Sequence, residues 1–170
     1  MDADTPYAQR YGNTYYLPWE FEVQGMFNAA TALFNPDNQD LRMYAAVDYD
    51  SEEDPILYGA VWIGMNEGRW VEPRGVYQIC YIARAIKYRE CRIGDLLLGH
   101  ALYACWMNHQ RFGGLLRVTA LVDYRNESSI KLFERHGFTR MEHADYIDGR
   151  YLEYALPEDS PEWENMRNPV

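Results

Sequence analysis

Apolar residues along this chain recur with two different periods, and the alternation between the periods lays out its elements. Near-helical spacing comes first, over 19–34, where Phe21, Val23, Met26, Phe27, Ala30 and Phe34 follow Pro18. Asn35-Pro36-Asp37-Asn38 ends that run, since proline disfavours helix before itself and Asn and Asp favour turns. Apolar and β-branched runs over 43–49 and 56–65 flank an acidic turn, 50–55, and read as a hairpin. A connector over 66–75 leads to a strand over 76–86, rich in β-branched and aromatic residues. The spacing then predicts a helix over 93–112. Ile93, Leu96, Leu97, Ala101 and Ala104 mark one stripe, while Leu98, Leu102 and Trp106 carry apolar character round to other faces, so a well-buried helix is expected. Gly113-Gly114 closes it. A strand over 115–122 follows, then a helix capped by Asn126 and closed by Gly137. A last hairpin, 138–146 and 151–156, turns at Asp148-Gly149.

The order is therefore α-β-β-β-α-β-α-β-β. It predicts an α/β fold with a single mixed central sheet flanked by helices, because a strand-helix-strand unit in its middle requires some parallel pairing. No repeat or linker divides the chain, so 1–156 reads as one domain. Residues 157–170 read as an acidic, Pro-containing tail, loosely held.

With 170 residues, 48% of them hydrophobic, and 15 Tyr and 5 Trp, the chain is too apolar for disorder and long enough to need no disulfide staple. Cys80, Cys91 and Cys105 are odd in number and lack ligand spacing, so buried thiols in a reducing compartment are expected and no metal site is. The first residues, MDADTPYAQRYGNTYY, show no signal-like apolar run, and nothing approaches the ~20 apolar residues of a membrane span. A cytoplasmic protein is expected. The net charge of −10 argues against nucleic-acid and anionic-membrane partners, both polyanions.

One window runs against that charge. Arg84, Lys87, Arg89 and Arg92 stand against a single Glu90, between a strand end and a helix start near Ile93-Gly94. Free N–H groups at a helix start, beside added cations, make an anion site. A solvated basic turn, with Gly94 present for close packing, explains the same residues. A second segment, Asn126-Glu127-Ser128-Ser129-Ile130-Lys131-Leu132-Phe133-Glu134-Arg135-His136-Gly137-Phe138, follows a strand and ends in Gly-Phe. Alone it is an Asn-capped amphipathic helix.

Together the two segments resemble the GNAT (Gcn5-related) N-acetyltransferase superfamily. Tyr88, Arg89, Ile93 and Gly94 match its YRGxGxG-like loop. Asn126, Ser129, Ile130, Phe133, Glu134, Gly137 and Phe138 match its N-x-x-(A/S)-I-x-x-(Y/F)-E-x-x-GF helix. The resemblance covers 76–156 firmly and the upstream elements loosely. It implies acetyl-CoA, with the pyrophosphate on backbone N–H groups of Glu90, Cys91, Arg92, Ile93, Gly94 and Asp95 beside the charge of Arg89. The pantetheine arm would run along Ile82, Ala83, Arg84, Ala85 and Ile86, where two parallel strands splay apart. Asn126 would reach the pantetheine or the amine.

Two positions depart from the pattern. Arg92 replaces the first loop glycine, and either crowds the pyrophosphate or turns out toward the 3′-phosphate. Phe133 occupies the cofactor-side position of the family's frequent Tyr acid, and has no hydroxyl. Tyr124, Cys91 or water would then protonate the leaving thiolate. Gln78 sits on the central strand where relatives often carry a base, which makes Glu72 in the preceding connector the nearest acid. His100 and His109 read as core histidines. Two functions follow: an N-acetyltransferase acting on a primary amine of a small cationic molecule or protein, or a catalytically degenerate GNAT-fold interaction protein such as a phage internal core protein. The partners expected are acetyl-CoA and a cationic acceptor, with a homodimer or protein partner also open.

Overall fold

The structure, a computed structural model, describes residues 9–11, 14–16, 23, 25–27, 41–48, 56–66, 68–85, 88, 91–146 and 149–167. The chain forms two compact units, 1–38 and 39–170. In the first, β1 (Gln9–Tyr11) and β2 (Thr14–Tyr16) make a short antiparallel hairpin, and residues 23 and 25–27 are helical. The rest of the expected 19–34 helix, and the acidic turn at 50–55, lie outside the described residues.

The second unit contains the expected sheet. Its strands are β3 (Leu41–Asp48), β4 (Ile56–Met65), β7 (Tyr77–Arg84), β8 (Val118–Asp123), β9 (Thr139–Tyr146) and β10 (Tyr151–Leu156), in the order β3-β4-β7-β8-β10-β9. Within the connector, β5 (Gly68–Arg69) and β6 (Glu72–Pro73) add a two-residue ribbon that periodicity is too coarse to detect. Among the described residues only β7 and β8 pair in parallel, with the crossover helix α1 (Ile93–Phe112) between them in sequence. Two further helices are α2 (Glu127–Arg135) and α3 (Glu162–Arg167). The core of the described residues joins Val61, Ile63, Tyr77 and Val118 of the sheet to Leu98, Leu102 and Cys105 of α1, Phe133 of α2 and Trp163 of α3.

Four expectations need correction. Helix α1 is not buried all round: Leu97, Leu98, Ala101, Leu102, Cys105 and Asn108 face inward, while Leu96, Tyr103 and Met107 are exposed. Apolar composition did not distinguish the inward stripe from the rest. His100 lies on the outer side, edge-on to Tyr44 at 4.6 Å between ring centroids, and is no core histidine. Residues 157–167 are not a loose tail. Trp163 is 1% exposed and its indole Nε1 donates to the Pro157 carbonyl at 2.8 Å. Burying one indole, about 4–6 kcal/mol for roughly 150–250 Å² at ~25 cal/mol per Å², outweighs the polar composition of the segment. Of the three thiols only Cys105 is fully buried, and Cys91 is exposed.

The far end of α1 is closed tightly. Asn108 Nδ2 donates to the Trp70 carbonyl at 2.8 Å and to Tyr77 Oη at 3.0 Å. Gly114 has φ 88°, and a Cβ there would lie 2.7 Å from the Pro73 carbonyl oxygen, so glycine is required on both counts. Burial pushes the Tyr77 hydroxyl and the Cys105 thiol far up, keeping both neutral. No helix among the described residues is long and apolar enough to cross a membrane.

Candidate functional site

The site begins with a register change. Trp62 pairs with Tyr81 but the adjacent Ile63 pairs with Ile79, so Cys80 is an extra residue, a β-bulge that bends β7. On the other side, the parallel ladder runs only from Tyr77–Val118 to Ile79–Ala120, although β7 continues to Arg84 and β8 to Asp123. The two strands therefore diverge immediately after the bulge. Ile82, Ala83 and Arg84 lie on the diverging part of β7, and Ala85 follows it, its N–H bonded to the Tyr58 carbonyl at 2.8 Å.

Residues 85–92 then lead into α1. Its first intrahelical bond is Leu96 N–H to the Arg92 carbonyl at 3.2 Å, and Arg92 caps the helix with no side-chain hydrogen bond. The N–H groups of Ile93, Gly94 and Asp95 thus precede the helix ladder. Cys91 N–H already donates to the Tyr88 carbonyl at 3.0 Å, which leaves 92–95 as the expected cradle among the described residues. The Arg92 side chain is 81% exposed and turned toward Asp95, Nε to Oδ2 at 3.7 Å. A Cβ on Gly94 would meet Leu132 at 3.3 Å, so close packing of α2 is one reason for glycine there. Asp95 is clamped by Arg135 at 2.7 Å and His136 at 3.2 Å. Burial acts to raise its pKa, but the bonds from Arg135 and His136 and the charges of Arg135 and Arg92 outweigh it and hold the carboxyl below its usual range.

The opposite wall is the end of β8. Asn126 caps α2 as expected, its Oδ1 accepting from Ser129 N–H at 3.2 Å. Tyr124 is exposed, with the Arg125 guanidinium 5.6 Å from its ring centroid. Phe133 is a core side chain, edge-on to Phe138 at 5.0 Å. The sequence reading passed over Asp123, which is 3% exposed and accepts hydrogen bonds from Arg125 and Arg150. Burial acts to raise its pKa; the Arg125 side chain and backbone, then Arg150, overcome this and bring it down to about 2. An acid closing an apolar strand, two residues before an arginine, was the available signal.

The structure brings Ile82, Ala83, Arg84 and Ala85 to the β7 side and Tyr124 and Asn126 to the β8 side. It does not bring Glu72 there: β6 precedes the start of β7, beside the C-terminal end of α1, and Glu72 pairs with Arg74 at 4.0 Å in solvent. Ile86, Arg89 and Glu90 lie outside the described residues. A separate cavity of about 470 Å³, lined by Tyr44, Ala46, Leu96, His100 and Tyr103, opens between α1 and the edge strand β3, two strands away from β7.

An open mixed sheet whose one parallel pair diverges past a bulge, with the crossover helix starting beyond it, defines a particular class of α/β protein. Solved structures specify the class. A chain of the KacTA–DNA complex superposes with a TM-score of 0.62, at 19% identity over 86% of each chain. An acetyltransferase candidate of the GNAT family from Desulfovibrio desulfuricans gives 0.58, at 19% identity over 84% of this chain and 83% of that one. A chain of the NatC complex bound to Gag peptide and CoA gives 0.53, at 21% identity over 91% and 84%. This chain has the GNAT fold. No family model and no curated protein matches it by sequence.

Proposed function

We propose that this chain is an acetyl-CoA-dependent N-acetyltransferase, with the cofactor in the opening between β7 and β8 and a primary amine of a cationic molecule or protein as acceptor. The observation that carries the reading is the divergence of the ladder after Ile79 and Ala120, directly upstream of a helix start without a side-chain cap. The residues present fit the group. The diverging edge of β7, 82–84, with Ala85 after it, would align the pantetheine arm as an added strand. The N–H groups of 92–95 would receive the pyrophosphate, with Arg84, Arg89 and Arg92 adding charge. Asn126, whose Oδ1 is committed to the cap, keeps its amide nitrogen for the pantetheine side.

Bound acetyl-CoA supplies an activated thioester: the acceptor nitrogen bonds to its carbonyl carbon as the C–S bond breaks, the amine losing a proton and the thiolate gaining one. Tyr124 is the proton donor we assign, since its exposed hydroxyl stands on the turn after β8 while Phe133 has none to offer. Glu72 is not carried forward as base, because of its place at the start of β7. The net charge of −10 favours a cationic acceptor by steering.

Calorimetric titration with acetyl-CoA tests the reading, with a micromolar Kd expected. Absence of binding at millimolar acetyl-CoA overturns it. Thiol release with spermidine and a Lys-rich peptide then tests transfer. The buried Phe133 favours a second reading, a non-catalytic GNAT-fold binding protein, and binding without thiol release on any amine would select it.

A further inference from the structure

The β8 wall of the opening poses a mechanical problem. Up to Ala120, β8 is flanked by β7 and β10. From Leu121 to Asp123 it is paired by β10 alone, through Leu121–Glu153, Val122–Leu152 and Asp123–Tyr151. A strand end supported along one edge opens more readily than one supported along two. This end must nevertheless carry Tyr124 and Asn126.

A buried charge holds it. The Asp123 side chain is 1% exposed. It accepts from Arg125 N–H at 3.0 Å, from Arg125 Nε at 2.8 Å and Nη2 at 2.6 Å, a two-pronged pair, and from Arg150 Nε at 3.0 Å. The backbone closes the same loop: Tyr124 N–H donates to the Arg150 carbonyl at 3.1 Å, and Asn126 N–H to the Asp123 carbonyl at 2.8 Å. One carboxylate thus joins the last residue of β8, the turn into α2 and the turn into β10. Burying an ion costs several kcal/mol before its partners offset the loss, and an apolar side chain often stabilises a fold as well. What the charged arrangement adds is a fixed geometry, because the arginine fork meets the carboxylate at two points.

We propose that Asp123 is a positioning residue of the acetyl-CoA site: its ionised carboxylate, gripped by Arg125 and Arg150, holds Tyr124 and Asn126 in place as the β8 wall of the opening. The inference rests on the acetyl-CoA reading given above.

The test is the acetyl-CoA Kd of purified wild type, Asp123→Asn and Arg150→Gln, each measured well below its own melting temperature. Leu156→Ala, a core truncation on β10 away from the clamp, is the control for stability alone. Losing hydrogen bonds to a charged group should weaken binding about tenfold for Asp123→Asn and about threefold for Arg150→Gln. Leu156→Ala should lower the melting temperature and leave Kd within about twofold of wild type. Should Asp123→Asn not fold, Arg150→Gln decides, together with faster hydrogen exchange at the Tyr124 and Asn126 amides than at the other amides of β8. Wild-type affinity in the folded clamp variants overturns the positioning role and leaves the acetyl-CoA reading standing. So does a Kd that worsens equally in Leu156→Ala. If wild type itself fails to bind at millimolar acetyl-CoA, the acetyl-CoA reading falls and the positioning role with it.

Discussion

Where β7 and β8 begin, the protein is filled with neutral side chains; where they diverge, it is built from paired charge and backbone. At the first end Tyr77, Val118, Leu102 and Cys105 are fully buried, and the polar groups among them are neutral: Asn108 bonds Tyr77, and burial keeps the Tyr77 hydroxyl and the Cys105 thiol protonated. At the second end the carboxylates are ionised instead. Asp123 is held by two arginines and Asp95, in the first turn of α1, by Arg135 and His136. Arg92 is exposed there and Leu96 is 62% exposed. The same strands and the same helix serve both ends, so the contrast comes from side chains and not from topology. It separates a region that supplies stability from one suited to bind an anion-bearing cofactor.

The sharpest way to break this division is a cavity at the closed end. Leu102→Ala should cost about 2–5 kcal/mol, read as a lowered urea midpoint, because a fully buried side chain is removed from a packed core. Acetyl-CoA affinity, measured while the protein is folded, should stay within about twofold. A tenfold loss would show that the two ends are coupled.

Acid should act on the diverging end instead. The Asp123 carboxyl titrates at about 2 in the folded protein against an ordinary value of 3.8. A group with a depressed folded pKa stabilises fully above its unfolded pKa and loses that contribution as pH falls toward the folded one. Stability should therefore drop between about pH 4 and pH 2, by on the order of 2 kcal/mol from Asp123, with Asp95 adding in the same direction. The measurement is the urea midpoint against pH for wild type and Asp123→Asn. The variant should show a shallower decline, and an equal decline would mean that other carboxylates carry the acid sensitivity.

The sheet was legible because its strands are runs of apolar, β-branched residues broken by turns, and a period of two survives without knowledge of partners. All six were placed, and so was the exact span of α1. Its inward face was not, because Leu96 and Leu97 are equally apolar and only the position of β4 and β7 beneath the helix decides which is buried. Trp163 was missed for a related reason. Its neighbours are Pro, Glu and Asp, and burial of one indole against a distant core leaves no periodic trace in sequence. At the site, backbone features transferred well: the helix start and the Asn126 cap are local chemistry. Asp123, by contrast, gains its meaning from Arg150, 27 residues away in the turn before β10. Glu72 is the acid nearest the central strand in sequence, whereas its ribbon lies at the opposite end of β7 from the divergence.

A smaller effect should come from Asn126→Ala. Loss of the cap to Ser129 should cost about 1 kcal/mol in thermal or urea unfolding. Since the residue also borders the opening, acetyl-CoA affinity should weaken several-fold, unlike in Leu102→Ala. Equal retention of affinity in both would remove Asn126 from the wall.

The smallest effect on stability belongs to Arg92→Gly, and it decides between two readings of one side chain. Glycine at this position is what the resembling loop carries, and Arg92 makes no cap bond to lose, so the unfolding free energy should change by less than about 0.5 kcal/mol. If Arg92 crowded the pyrophosphate, glycine would open the cradle and acetyl-CoA would bind more tightly. The structure shows the guanidinium turned outward, 3.7 Å from Asp95 and largely in solvent. Its removal should then take away a nearby positive charge without creating space, weakening binding about threefold at low salt, and the difference should shrink at high salt, where exposed charges are screened. Dephospho-CoA, which lacks the 3′-phosphate, sharpens the test. If Arg92 turns out to meet that phosphate, wild type and Arg92→Gly should bind the dephosphorylated cofactor equally, and a persistent difference would place the arginine at the pyrophosphate instead.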